Sequence, residues 1–246
     1  TDDDTAGATV SQSDGSTVVS ETGTTDVVSV VLNTQPTSNV TITVALSGSN
    51  EALAGPTTIT FSPANWNVAQ DVTVTGVDDD VDDDDQDTTM TLSISGAAAY
   101  AALDNQSVTI TTTDNDAAGF TVTHSEGSTA VAESGTTDTF TVVLTAQPTS
   151  DVQIFMCTCH LMGEVSLDKT LLTFTNGNWN SAQTVTVTGL DDDLDDGTTD
   201  SRITLTVVNG SDAAFNSVVN QTFMVTNADD DTAGVTAVAT DGTTEV

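Results

Sequence analysis

Apolar and polar residues alternate with a period of two through much of the chain. Val40, Ile42, Val44 and Leu46 are separated by Thr41, Thr43 and Ala45; Val72 and Val74 flank Thr73; Leu205 and Val207 interleave with Thr204 and Thr206. That period sends apolar side chains to one face of a strand and polar ones to the other. Thr and Val abound, Gly, Asn and Asp punctuate, and no window carries a 3.6-residue apolar period. The pattern predicts an all-β fold of sandwich type with almost no helix.

The pattern also repeats. DDDTAGATV at Asp2–Val10 returns as DNDAAGFTV at Asp114–Val122 and as DDDTAGVTA at Asp229–Ala237, a period of about 112 to 115 residues. Between these marks the order of landmarks is kept: Glu21 with Glu133, QPTS at Gln35 and Gln147, NWN at Asn65 and Asn178, VTVTG at Val72 and Val185, VDDDVDD at Val77 with LDDDLDD at Leu190. The expected organisation is tandem immunoglobulin-like sandwiches in an elongated rod. Repeat 1 spans 1–115, repeat 2 spans 116–230, and 231–246 is the first strand of a third repeat or a strand exchanged with another copy. In repeat 1, strands are expected near 6–11, 25–33, 39–47, 57–62, 70–76, 88–95 and 106–112. Trp66 and Trp179 fall between the fourth and fifth strands and read as core plugs.

Charge changes the picture most. Two basic residues against 37 acidic ones give a net charge of −35, which excludes nucleic acid and anionic membrane surfaces as partners and favours cations. No stretch reaches the roughly 18 to 20 apolar residues of a membrane span, so no membrane insertion is expected in this segment. The chain opens at Thr1 without a basic-then-apolar leader and stops just after a third repeat begins. It therefore reads as a mature or excised piece of something longer.

The acid is clustered: 21 of the 37 acidic residues fall in five runs. With seven strands running alternately up and down, the first, third and fifth connections and the end of the seventh strand meet at one pole. Glu21 lies in the first connection of repeat 1; Asp78, Asp79, Asp80, Asp82 and Asp83 lie in the fifth, with Asp84, Asp85 and Asp87; Asp114 and Asp116 follow the seventh strand. Repeat 2 echoes this with Glu133, then Asp191, Asp192, Asp193, Asp195 and Asp196, then Asp229, Asp230 and Asp231. Like charges so concentrated repel, whereas hard cations take six to eight oxygens from such loops, so Ca2+ is the expected ligand. The run from Asp191 is no EF-hand: its sixth position is Asp196 where Gly is required, and its twelfth is Arg202 where Glu is required.

These residues together resemble the Calx-beta family and related bacterial surface repeats. The resemblance rests on the DDDTAG and DNDAAG openings, the Glu after the first strand, VVLNTQPTSNVTI, ITFSPANWNVAQDVTVTGVDDD and the closing DND. It implies an immunoglobulin-like sandwich that binds calcium at one tip through that Glu, the acids of the fifth connection and the acids after the seventh strand. It also implies calcium-locked joints between repeats, as in cadherin-like arrays. By the same logic Asp2, Asp3 and Asp4 complete a site on a preceding domain. The sequence departs from the pattern at MCTCHLM in repeat 2 and in that repeat's shorter acid run.

Cys157, Cys159 and His160 form a cluster with three ligands where a structural zinc site needs four. It reads as exposed thiols, with Ile154 and Met156 on the inward face of the same strand. His124 has no nucleophile placed beside it, and nothing resembles a substrate cleft, so the chain reads as no enzyme. The leading expectation is a calcium-stabilised extracellular structural protein of the cell surface, the stalk of an adhesin or the subunit of a filament. Its partners would be calcium, neighbouring repeats or copies of itself joined head to tail through 229–246. Two other readings compete: a calcium-dependent adhesin that recognises carbohydrate or protein, and an acidic surface without specific calcium sites.

Overall fold

Alternating side chains produce the strands they predict. In β3 (Thr25–Leu32), Val28, Val30 and Leu32 point inward and are almost wholly buried; in β4 (Val40–Ser47), Val40, Ile42 and Val44 do the same. A computed structural model describes residues 4–48, 50–160 and 163–238, with backbone alone at 159 and 160. The chain divides into two units, Thr1–Asp116 and Ala117–Val246.

The first unit contains β1 (Ala8–Gln12), β2 (Thr17–Ser20), β3, β4, β5 (Ala52–Gly55), β6 (Thr58–Phe61), β7 (Gln70–Gly76), β8 (Gln86–Gly96) and β9 (Gln106–Thr113), with a short helix α1 (Ala98–Ala101). A four-stranded sheet, β1-β3-β7-β5, and a five-stranded sheet, β2-β9-β8-β4-β6, enclose one core that includes Val30, Ile42, Phe61, Val74, Leu92 and Ile110. The second unit repeats the plan with β10 (Phe120–His124), β11 (Thr129–Ala132), β12 (Thr137–Leu144), β13 (Val152–His160), β14 (Val165–Leu167), β15 (Leu171–Phe174), β16 (Gln183–Gly189), β17 (Thr199–Val207) and β18 (Gln221–Ala228). Its sheets run β10-β12-β16-β14 and β11-β18-β17-β13-β15. Each unit is thus an all-β sandwich of immunoglobulin type.

Among the described residues, each unit has two more strands than the seven expected. The first strand breaks at a turn containing Gly15 and resumes as β2 on the opposite sheet, where it runs parallel to β9. A carboxylate pins the crossing: Asp26 accepts hydrogen bonds from the Ser13 hydroxyl and from the Val18 N–H at 3.0 Å. Asp138 does the same in the second unit with Ser125 and the Ala130 N–H at 3.0 Å. The other addition, β5, is a four-residue edge strand on β7, matched by β14 on β16.

The repeated landmarks have structural work. Trp66 and Trp179 pack partly buried against the two cores, and their carbonyls accept the N–H groups of Leu32 and Leu144, at 3.2 Å each. Gly76 and Gly189 sit where a β-carbon would meet the carbonyl oxygens of Ser20 and Ala132 at 2.1 and 2.2 Å. That close approach seats the ends of β2 and β11.

Ile154 and Met156 are fully buried, as the alternation of β13 required. Cys157 is half-buried and disulfide-bonded, where exposed thiols were expected. The ladder between β13 and β17 shifts register between Thr158 and His160, so the strand is irregular at this point. His124 bonds Thr129 Oγ1 at 2.7 Å and meets the edge of Phe223, which accounts for it structurally. Beyond Asp231 the described residues, up to 238, form no strand, and Val235 and Val238 are exposed. Residues 239–246, with Asp2 and Asp3, lie outside the described residues. Among the described residues, no helix is long and apolar enough to cross a membrane.

Candidate metal centre

Each unit gathers carboxylates where the parallel strand pair ends. Glu21 follows β2 directly, and its N–H bonds the Thr113 carbonyl at 3.2 Å, which ties it to the end of β9. Glu133 follows β11 and bonds the Ala228 carbonyl at 3.0 Å. Both glutamates are only 2% exposed.

The D-x-D segments come next. The Asp116 N–H donates to Asp114 Oδ1 at 2.7 Å, and the Asp231 N–H to Asp229 Oδ1 at 2.7 Å. These tight turns place alternate carboxylates beside the glutamate. One oxygen from each of Glu21, Asp114 and Asp116 lies within 4.8 Å of the others, and Glu133, Asp229 and Asp231 form the matching group.

The acidic loop between β7 and β8 folds over this group. Asp114 Oδ2 accepts the N–H groups of Asp83 and Asp84 at 3.0 and 2.9 Å, and Asp85 Oδ1 accepts the Asp114 N–H at 3.1 Å. Asp82, Asp84, Asp85, Asp114 and Asp116 line an open acidic cleft. Asp78 accepts from Asn115, and Asp79 and Asp80 bear electrostatically on Asp116. Asp79 also turns its own loop by accepting the Val81 N–H at 2.8 Å, as Asp192 does with Leu194 at 2.7 Å.

In the second unit, Asp229 Oδ2 accepts the Gly197 N–H at 2.6 Å and Asp195 Oδ2 accepts the Ala233 N–H at 2.6 Å. Asp191 and Asp193 act on Asp231, and Asp192 and Asp196 act on Glu133. Three carboxylates in each unit therefore converge, and the loop aspartates named above lie around them.

Two glutamates escaped the sequence reading. Glu51, just before β5, is 8% exposed, and its carboxyl is pushed above the ordinary range by burial and then by Asp79, Asp83, Glu21 and Asp114. Its carbonyl accepts Val77 N–H at 2.9 Å and Thr112 Oγ1 at 3.1 Å, which joins it to the acidic loop and to β9. Glu164 matches it: its carbonyl accepts the Leu190 N–H at 2.9 Å, and its carboxylate accepts the Thr199 hydroxyl at 2.7 Å. Both lie in the third connection, at the pole already assigned to the acid. The repeat offset between them was the available signal.

The sequence matches no protein-family model and no curated protein. Among solved structures the chain is similar to CBD12 from CALX1.2, at 14% identity and TM-score 0.33 over 82% of each chain. It is also similar to calcium binding domain CBD12 of CALX1.1, at 16% identity and TM-score 0.35 over 80% of each chain. The YadV chaperone is a third, at 9% identity and TM-score 0.34, covering 88% of this chain and 98% of that one.

Electrostatics mark the cluster as strained without counter-charge. Burial raises the Glu21 carboxyl, the Asn115 N–H groups pull it back, and Asp114 and Asp79 raise it again. Burial followed by Asp114 raises Asp116; in the second unit burial followed by Asp229 raises Glu133 and Asp231. Asp229 is lowered instead, chiefly by the N–H groups of Asp231 and Gly197. Glu133 Oε2 is buried with no hydrogen-bond partner. A buried anionic oxygen left unpaired is costly, and these all-oxygen donors suit a hard divalent cation. The residues present fit Ca2+.

Proposed function

We propose that this protein is a calcium-stabilised extracellular structural repeat protein, the stalk of an adhesin or the subunit of a surface filament. The single observation that carries the reading is the unpaired, buried Glu133 Oε2 within reach of Asp229 and Asp231. Glu21, Asp114 and Asp116 would hold one cation and Glu133, Asp229 and Asp231 another, with Glu51 and Glu164 and the loop aspartates around them. Bound calcium supplies the positive charge that the cluster otherwise lacks. The protein's own part is to fix the glutamates on paired strands, aim the D-x-D carboxylates through their turns, and bring the acidic loop over them.

A rigid β-sandwich with cation-dependent ends serves mechanical work better than chemistry. The Calx-beta resemblance of the sequence, with its implied calcium at this pole, points the same way. On this reading the segment after Asp231, where Val235 and Val238 are exposed, would add as a strand to an edge of the next copy. Truncation after Asp231 tests that point, and assembly that survives unchanged contradicts it.

Thermal unfolding in calcium, in chelator and in magnesium at matched ionic strength tests the main reading. A calcium-specific rise in the midpoint is expected. A midpoint set by ionic strength alone would make the acid runs solvating charge.

A further inference from the structure

The D-x-D segments of the two carboxylate groups differ at their middle residue. In the first unit, the residue between the paired aspartates is Asn115; in the second it is Asp230. The Asn115 side-chain amide donates to Glu21 Oε2 at 3.1 Å and to Asp78 Oδ1 at 3.3 Å, while its backbone N–H also reaches Glu21 Oε2 at 3.1 Å. With a carboxylate on each side, only the NH2 end of this amide can face them. It bridges two anions that a cation would otherwise have to bridge.

In the second unit the Asp230 N–H faces Glu133 and lowers its carboxyl, against burial and the neighbouring aspartates. The side chain's part is reversed. The Asp230 side chain carries no N–H and bears electrostatically on Asp231. Glu133 Oε2 and Asp231 Oδ2 are left buried without partners. None of the side-chain oxygens of Glu21, Asp114 and Asp116 is in that state among the described residues.

Resting on the calcium reading above, we infer that the two units depend unequally on the cation: the second unit requires it to hold its fold, and Asn115 provides the first with a built-in substitute. The asymmetry gives an order of events as calcium falls. The second unit loosens first, and the first unit persists. Asn115 acts as a positioning residue that neutralises no charge but satisfies two acceptors.

The chain's two tryptophans allow each unit to be followed in the full-length protein, since Trp66 packs against the first core and Trp179 against the second. In W179F the fluorescence reports the first unit, and in W66F the second. Thermal unfolding of each is compared in calcium chloride and in chelator, at matched ionic strength. The expected result is a larger calcium-dependent shift of midpoint for the second unit. D230N should shrink the second unit's shift, and N115D should enlarge the first unit's. Equal shifts in the two units, or shifts that neither exchange alters, would overturn the inference and leave the calcium reading standing. Midpoints that ignore calcium in both units would overturn both.

Discussion

Asp84 and Gly197 hold the same place in the two acidic loops and share a left-handed backbone, at φ 63° and 76°. Each N–H donates to the matching aspartate, Asp84 to Asp114 and Gly197 to Asp229. Glycine adopts this conformation freely, whereas an L-residue pays a steric cost that aspartate bears better than most. Asp84 is thus a carboxylate kept where the backbone favours glycine. In chelator, D84G is expected to stabilise the first unit by up to about 1 kcal/mol in a urea titration, because strain and one negative charge leave together. In calcium the same variant should bind less tightly. A drop in stability in chelator would show that the carboxylate supports the loop by itself.

The raised carboxyls predict an unusual pH dependence for metal-free protein. Glu21, Glu51 and Glu133 lie above the ordinary 4.5, and Asp83, Asp116, Asp196 and Asp231 above 3.8. A carboxyl raised by folding binds its proton more readily in the folded state. Stability therefore falls as pH rises from the unfolded value through the folded one. Asp26, Asp138, Asp212 and Asp229 are lowered, and their contribution is lost as pH falls below 3.8. The midpoint of metal-stripped protein should rise as pH falls from neutral toward the ordinary glutamate value of 4.5, and fall again below 3.8. With calcium the upper slope should reverse, since protons then compete with the metal. Calorimetric melts across this range decide it, and a midpoint that climbs steadily to neutral pH without metal would contradict the picture.

Glu51 should matter to the site without meeting the central three carboxylates. Its substitution, E51Q, is expected to weaken calcium binding about 10–100-fold, the usual effect of removing a supporting group, with the melting behaviour in chelator kept or improved. A calcium titration followed by Trp66 fluorescence measures this. Unchanged affinity would confine Glu51 to its backbone contacts with Val77 and Thr112.

Gly76 and Gly189 have no room for a side chain, since the carbonyl of Ser20 or Ala132 occupies the position of a β-carbon. G76A and G189A should each destabilise their unit by about 1–3 kcal/mol, as overpacking does, and should displace Glu21 or Glu133 with the strand that precedes them. Urea unfolding together with calcium titration separates the two effects.

The sequence displayed the long strands because their inner faces are plain: Val28, Val30 and Leu32, or Met90, Leu92 and Ile94, alternate without interruption. It concealed β2, because a strand that changes sheets after Gly15 keeps the alternation of one that continues. It concealed β5, because Ala52–Gly55 is too short and small to show a period. At the site, acids in runs were visible and an isolated Glu51 was not, although Glu164 repeats it at the period of the chain. The role of Asn115 lay beyond any pattern of charge. Its neutral amide gains meaning only when Glu21 and Asp78 close around it.

A calorimetric calcium titration, compared with sodium at equal ionic strength, decides whether the two carboxylate groups are calcium sites. Saturable, calcium-specific binding to the native chain is expected, with its loss or severe weakening in the double variant E21Q/E133Q, whose strands and cores are untouched. Heat that never saturates, or saturable binding that survives removal of both glutamates, would contradict it.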